Sequence, residues 1–294
     1  MINKLLLLLA IALCTLSQSC MPEPLETDIN PEADKLVINS SLTINGHIWV
    51  SVTKSNGTIK SGSTGLEQLN QFCVRDAVVT IACNGLSDTL QHKEFGVYTS
   101  DKLKLEPGQT YLLKAFQKST GKTVIASSTM PEKISVQNYK AQKLKNFGDS
   151  AIKVIVELNA NPLPDSYYMS YVYPLEKEGN NSGIFNERIN PVFKEIFKTN
   201  PTIHLYTDAN ERHGKIQVIS YLPHTYLNDT IKVMASCIEK DYYHFLDLQK
   251  KSGTLLNRST GDPFRLYGNI ENGYGYFSLN SPKLISIYPT DIQK

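Results

Sequence analysis

A two-residue hydrophobic alternation, repeated in short runs from residue 36 onward, constrains this chain more than any other feature. Leu36, Ile38, Leu42 and Ile44 share one parity, and Ile48, Val50 and Val52 alternate with His47, Trp49, Ser51 and Thr53. Successive side chains of a strand point to opposite faces, so such runs bury one face of a sheet. Asn45-Gly46, between the first two runs, predicts a hairpin turn because both residues tolerate positive φ. Further runs follow at AVVTIAC (77–83), weakly near 86–90, at GVYTS (96–100), TYLLKAF (110–116) and KTVIASS (122–128). Pro107-Gly108 and Gly121 punctuate them as turns. Short strands spaced about ten residues apart, with turn residues between them, predict a β-sandwich over 35–130.

The pattern changes at TMPEKISVQN (129–138), where Pro131 ends a strand, and a domain boundary is expected there. The second domain, 135–290, is read as β-rich with one short helix. Its expected strands are IKVIVEL (152–158), SYYMSYVYPL (166–175), KIQVISYL (215–222) and DTIKVMAS (229–236). Residues 176–200, with Gly179, Asn180, Asn181 and Gly183, read as a loop. A helix is expected over 237–252. Ser236 and Glu239 have capping-box spacing, and Gly253 follows as the residue that ends it. Ile238, Tyr242, Phe245 and Leu246 share one face of that helix and are assigned to core packing. In the tail, Asn272-Gly273 predicts a turn joining strands at 265–270 and 274–279. Gly268 and Gly275 inside those strands point to a bulge or to close approach of another backbone. KLISIYP (283–289) is the expected last strand.

The N-terminus carries an address. Lys4 precedes a nine-residue apolar run, Leu5 to Leu13. That run is too short for a membrane span of ~20 residues and suits a secretory signal. Ser17, Gln18 and Ser19 then lead into Cys20. Small residues before a Cys, directly after an apolar run, form the end of a bacterial lipoprotein signal. Leu16 stands four residues before Cys20, where three is usual, and Cys14 is the poorer acceptor because Leu13 precedes it. Residues 1–19 are thus expected to be removed and Cys20 to be acylated. Plain secretion with Cys20 as a spare thiol is the alternative. Acyl chains contribute ~0.8 kcal/mol per buried CH₂, so several of them make a lasting anchor. Residues 20–34, rich in Pro and acidic groups, read as an extended tether. Glu23, Glu26 and Asp28 there also hint at surface export.

Composition narrows the partners. Thirty Lys plus Arg against 28 Asp plus Glu leave a formal charge of +2, too weak a field to imply nucleic acid. Cys73, Cys83 and Cys237 are expected as buried thiols, with a disulfide permitted in an oxidising compartment. A Cys73–Cys83 bridge is disfavoured, because the strand at 77–83 spans ~20 Å and few residues remain to return.

GDPF (261–264) followed by NIENGYGYF (269–277) resembles the C-terminal signature of the Bacteroidetes lipoproteins grouped as domain of unknown function 4249. DYYHFLDLQKKSG (241–253) is similar to that family's Tyr-rich helix. KLVINSSLT, RDAVVTI, PGQTYLLKA and STMPEKI are similar to its N-terminal half, a pattern shared with immunoglobulin-like and transthyretin-like modules. The likeness covers about 35–287. CVRDA lacks the family's usual Pro before the strand, and TDANERHG (207–214) fits its acidic turn only loosely. The resemblance implies an outer-membrane lipoprotein of two β-rich domains, on the periplasmic face or the cell surface. It also implies an accessory role beside a TonB-dependent receptor and no catalytic residues.

A search for chemistry finds little. His47, His92, His204, His213, His224 and His244 form no HExxH pair. Asp208, Glu211 and His213 share one loop and suit either a cation or plain solvation. Asp149, Glu157 and Asp165 show no paired arrangement, Ser63 lies in no nucleophile elbow, and no phosphate-cradling Gly loop occurs. The excess is in Tyr, with 16 residues. Tyr167, Tyr168, Tyr171 and Tyr173 straddle both faces of one strand, and Tyr242, Tyr243, Tyr267, Tyr274 and Tyr276 crowd the C-terminal part. Tyr suits interfaces and sugar platforms, but half-buried sheet packing is the simpler account. The expectation is a non-catalytic cell-envelope lipoprotein with Cys20 as lipid attachment site and no metal or cofactor. Its ligand is an unidentified small molecule or glycan. The alternatives are an enzyme acting on surface glycan or peptide, and an adhesin-like subunit that pairs by strand donation.

Overall fold

The computed structural model describes residues 34–40, 43–44, 47–55, 70–100, 102–144, 151–159, 166–175, 203–207, 215–252 and 266–293. Cys20, the tether up to residue 33, the Asn45-Gly46 turn and residues 176–200 lie outside them. The fold is mostly β with a short helix, and Asp34–Lys294 forms one compact unit.

In the first half, β1 (Leu36–Ser40), β2 (Thr43–Ile44), β3 (His47–Lys54), β4 (Ala77–Cys83) and β5 (Leu86–His92) are followed by β6 (Val97–Ser100), β7 (Thr110–Gln117) and β8 (Thr123–Thr129). The alternation read from sequence is the alternation of burial. Ile48, Val50 and Val52 are buried while His47, Trp49, Ser51 and Thr53 are half-buried on the other face. Val79, Ile81, Tyr111, Leu113, Ala115, Val124 and Ala126 join them in one core. The strands run in the order β1-β3-β6-β5-β4-β7-β8, all antiparallel, with β2 paired to β3.

The second half contains β9 (Ser135–Leu144), β10 (Ala151–Asn159), β11 (Tyr167–Leu175), β12 (Ile203–Thr207), β13 (Lys215–Pro223) and β14 (Thr230–Ile238). Helix α1 (Lys240–Ser252), β15 (Tyr274–Phe277), β16 (Lys283–Ile287) and β17 (Ile292–Gln293) complete the chain. One sheet runs β13-β10-β9-β17 and a second runs β12-β11-β14-β16. Their facing side chains, among them Val154, Val156, Leu158, Tyr168, Val218, Ile231, Val233 and Ile287, form a separate core. On the other face of β11 and β14, Met169 and Met234 pack with Tyr242 and Leu246 of α1 and with Tyr276. The apolar stripe of the helix is therefore core packing, and Tyr168 and Tyr167 do serve opposite faces of β11.

Two local expectations are corrected. The helix begins at Lys240, not at 237, because Ser236 to Ile238 pair with Tyr167 to Met169 and extend β14. Ser236 is thus a strand residue and caps nothing; Glu239 sits just before the helix, and its carbonyl accepts the Tyr243 N–H at 2.9 Å. The tail hairpin does not form either. Tyr274–Phe277 pairs in parallel with residues 37–40 of β1, and residues 266–270 are not a strand. The glycine reading holds. Gly275 sits at φ +95 with the Ile38 carbonyl where a Cβ would be, and Gly268 lies equally close to the Gly275 carbonyl. Asn269 replaces the missing ladder: its Nδ2 donates to the Phe277 carbonyl at 2.7 Å and its Oδ1 accepts the Phe277 N–H at 2.8 Å.

The tail has an architectural consequence. Glu271 bridges Ile125 of β8, with the Glu271 N–H donating to the Ile125 carbonyl at 2.8 Å, and three residues later β15 pairs with β1. One short segment thus joins the two edges of the first sheet. Ile270, Phe277 and Leu279 enter the first core, so residues from the far end of the chain complete it.

Candidate functional site

The first sheet has a depression on the face opposite its core. The hairpin between β5 and β6 is tight: the Lys93 N–H donates to the Val97 carbonyl at 2.8 Å, and Gly96 takes φ +74. A Cβ on Gly96 would meet the Val52 carbonyl at 2.5 Å, so only Gly lets β6 lie this close to β3. The short β6 is sunk between its neighbours. Thr99 faces outward yet is buried, because Trp49 of β3 and Gln91 of β5 stand directly opposite it on either side. Its hydroxyl donates to the Ile48 carbonyl at 2.6 Å, which satisfies the floor internally.

Around this row a cavity of about 290 Å³ opens. His47 and Thr89 line it alongside Trp49 and Gln91, and Lys93 and Lys102 supply two ammonium groups. Lys102 is placed by Ser100, whose hydroxyl accepts the Lys102 N–H at 3.1 Å and itself donates to the Asp88 carboxylate. No carboxylate lines the cavity, and neither Lys Nζ has an anionic partner among the described residues. The indole N–H of Trp49 is buried with no acceptor among the described residues, so the indole shows the cavity ring carbon. The wall combines apolar ring surface, an amide, hydroxyl and imidazole groups, and net positive charge. Among the lining hydroxyls, that of Ser100 is held by the Asp88 carboxylate and that of Thr99 by a backbone carbonyl.

A serine–imidazole contact among the described residues of the second half is of another kind. Ser220 Oγ and His204 Nε2 lie 3.0 Å apart. Ser220 is buried and follows Ile216 and Val218 on the inward face of β13. Burial, with the charge of Lys250 adding to it, pushes the His204 pKa down and favours the neutral ring. The buried Ser220 hydroxyl and the half-buried His204 ring satisfy each other between the two sheets.

A half-buried carboxylate marks the junction of the halves. Glu239 accepts the Ser128 hydroxyl at 2.6 Å and the Thr129 N–H at 2.8 Å. Ser128 Oγ in turn accepts the Leu279 N–H at 3.0 Å, so β8, the tail and the start of α1 meet at one hydroxyl. Burial pushes the Glu239 pKa up more than these hydrogen bonds pull it down, and Asp241 adds to the rise.

The residues singled out from sequence are scattered. Cys20, Ser63, Asp149, Asp165, Asp208, Glu211 and His213 lie outside the described residues. Glu157 is on the sheet surface, where its Oε1 accepts from Gln217 Nε2 at 3.1 Å. Among the described residues no group of three His, Cys, Asp or Glu side chains is close enough to hold a metal ion. Cys73, Cys83 and Cys237 form no disulfide among the described residues; Cys237 is buried as expected, whereas Cys73 and Cys83 are only half-buried. Tyr167 packs on Tyr243 with ring centroids 5.0 Å apart, and Tyr276 packs on both Tyr242 and Phe245 at 5.0 Å. Tyr267 is exposed, while Tyr274 lies under the Lys35 ammonium, 4.7 Å from it. Tyr167, Tyr171, Tyr242, Tyr243 and Tyr276 are therefore packing around α1. Sequence reading missed the cavity. His47 and Trp49 showed as outward alternates, but Gln91, Lys93 and Lys102 come from a hairpin some forty residues later.

None of the curated proteins matches the chain. The family model described as "Domain of unknown function (DUF4249)" matches residues 22–283, which takes in the first core, most of the second and the cavity. The chain belongs to that family.

Proposed function

We propose that this protein is a non-catalytic, lipid-anchored cell-envelope protein that binds a ligand for an outer-membrane transport system. The observation that carries the binding role is the sunken Trp49–Thr99–Gln91 row, an open cavity on a sheet face. Ligand sites are concave, with apolar ring surface and a few placed polar groups, and this one has both. The anchor is read from the apolar run of residues 5–13 and from Cys20. Association with a TonB-dependent receptor rests on the family resemblance. We read 35–130 and 135–290 as two sandwich-like modules, the first completed by the tail.

Metabolic labelling with a fatty-acid probe, followed by membrane fractionation, tests the anchor. The parent chain should take up label and sediment with outer membranes, and Cys20→Ala should lose both. Equal labelling of parent and variant contradicts it. Affinity purification from detergent-solubilised outer membranes should recover a TonB-dependent receptor; recovery of the chain alone contradicts the partnership.

A further inference from the structure

We propose that the cavity between β3, β6 and β5 binds a carboxylated sugar. This rests on the binding role above and names its ligand class. Three features select it. Trp49 offers indole carbon beside the cavity, the surface on which a pyranose ring stacks through its C–H groups. Gln91, Thr89 and His47 bring donors and acceptors at the scale of sugar hydroxyls. Lys93 and Lys102 add two ammonium groups, and no carboxylate of the lining competes for them. A neutral sugar would make no use of the charge of the two ammonium groups. A bare inorganic anion would leave the indole and the amide unused. A volume of about 290 Å³ lies near the small end of ligand sites, which suits a mono- or disaccharide unit.

Trp49 is the single tryptophan of the chain, so its emission reports on this cavity without labelling. The test titrates the full chain, purified in detergent, with a galacturonate trisaccharide, with its methyl ester and with sodium sulfate. The ester keeps the ring and loses the charge. The acid should give a saturable change in Trp49 emission, and the ester should bind weaker by about tenfold or more, as loss of charge-assisted hydrogen bonds implies. Sulfate alone should give no saturable change at the same concentrations. The double variant Lys93→Gln, Lys102→Gln should weaken the acid by a similar factor. Both lysines are exposed, so its thermal unfolding should match the parent's. Ester binding as tight as acid binding, or a double variant that binds like the parent, overturns the ligand class and leaves a neutral-sugar site. A sulfate response equal to that of the acid overturns the sugar and leaves an anion site. Silence toward all three overturns the proposal outright; acyl labelling and receptor recovery then judge the anchor and the partnership separately.

Discussion

The two halves of the molecule solve the same packing problem differently. The second half closes its core between its own two sheets, and every strand of those sheets comes from residues 135–293. The first half does not close alone. Its β1 edge is covered by β15, its β8 edge is bridged by Glu271, and its core admits Ile270, Phe277 and Leu279. An uncovered strand edge invites pairing with another chain, and covering it from within the chain removes that hazard. The difference teaches that the cavity-bearing half depends on the far end of the sequence, although the cavity itself lies wholly on β3, β5, β6 and the turns beside them.

Substitutions can break or sharpen this contrast. The largest effect is expected at Gly275. A Cβ there overlaps the Ile38 carbonyl, so Gly275→Ala should cost more than ~4 kcal/mol in urea unfolding or prevent folding. Gly85→Ala is the control. Its φ is +79 but its Cβ would meet open space, so the loss should be only ~1–2 kcal/mol. Equal losses at the two positions would show that the tail does not need this close approach. Tyr276→Ala comes next, at ~3–5 kcal/mol, since the buried ring lies between the tail and α1. Calorimetry should show the loss as a shift of the whole transition rather than the splitting off of one half.

Ser220→Ala probes the self-contained half. It leaves His204 Nε2 without its partner and should cost ~1–3 kcal/mol by denaturant titration. The pKa of His204 is lowered in the fold, so the unfolded chain takes up the proton first. Stability from this site is present above the ordinary histidine value of ~6.5 and falls as pH drops through it toward the lowered folded value. NMR titration of the ring should show the lowered midpoint. The smallest effect is expected at the junction. The Glu239 pKa is raised, so its contribution is full at low pH and is lost as pH rises through the folded value. The melting-temperature difference between the parent and Glu239→Gln should therefore shift toward the parent as pH falls through that range. A difference independent of pH would mean that the carboxyl is solvated.

Much of this fold was legible because burial follows parity. The strand read at 77–83 is β4 to the residue, the inward parity expected of Ile48, Val50 and Val52 is the observed one, and the strands read at 110–116, 122–128 and 152–158 are β7, β8 and β10 to within one residue at each end. What sequence hid was pairing without a hydrophobic pattern. β9 reads SVQNYKAQKL, with Ala141 its one buried residue, and is held by its ladder to β10 rather than by burial. Ser236, Cys237 and Ile238 looked like the entry to a helix, yet pairing with β11 claims them for β14. The tail looked like a local hairpin because Asn272-Gly273 is a strong turn signal, and Asn272 does take φ +61. Its partner stands more than two hundred residues away, a distance that periodicity cannot report. The cavity was hidden for the same reason, since a cross-strand row exists only once register is known.

The central claim is that the tail makes the two halves one cooperative structure. Urea unfolding followed at Trp49 emission reports the first half, and amide-proton NMR of β10 reports the second. Coincident midpoints and slopes are predicted. A complete Trp49 transition at urea concentrations where the β10 amides remain native would contradict the claim.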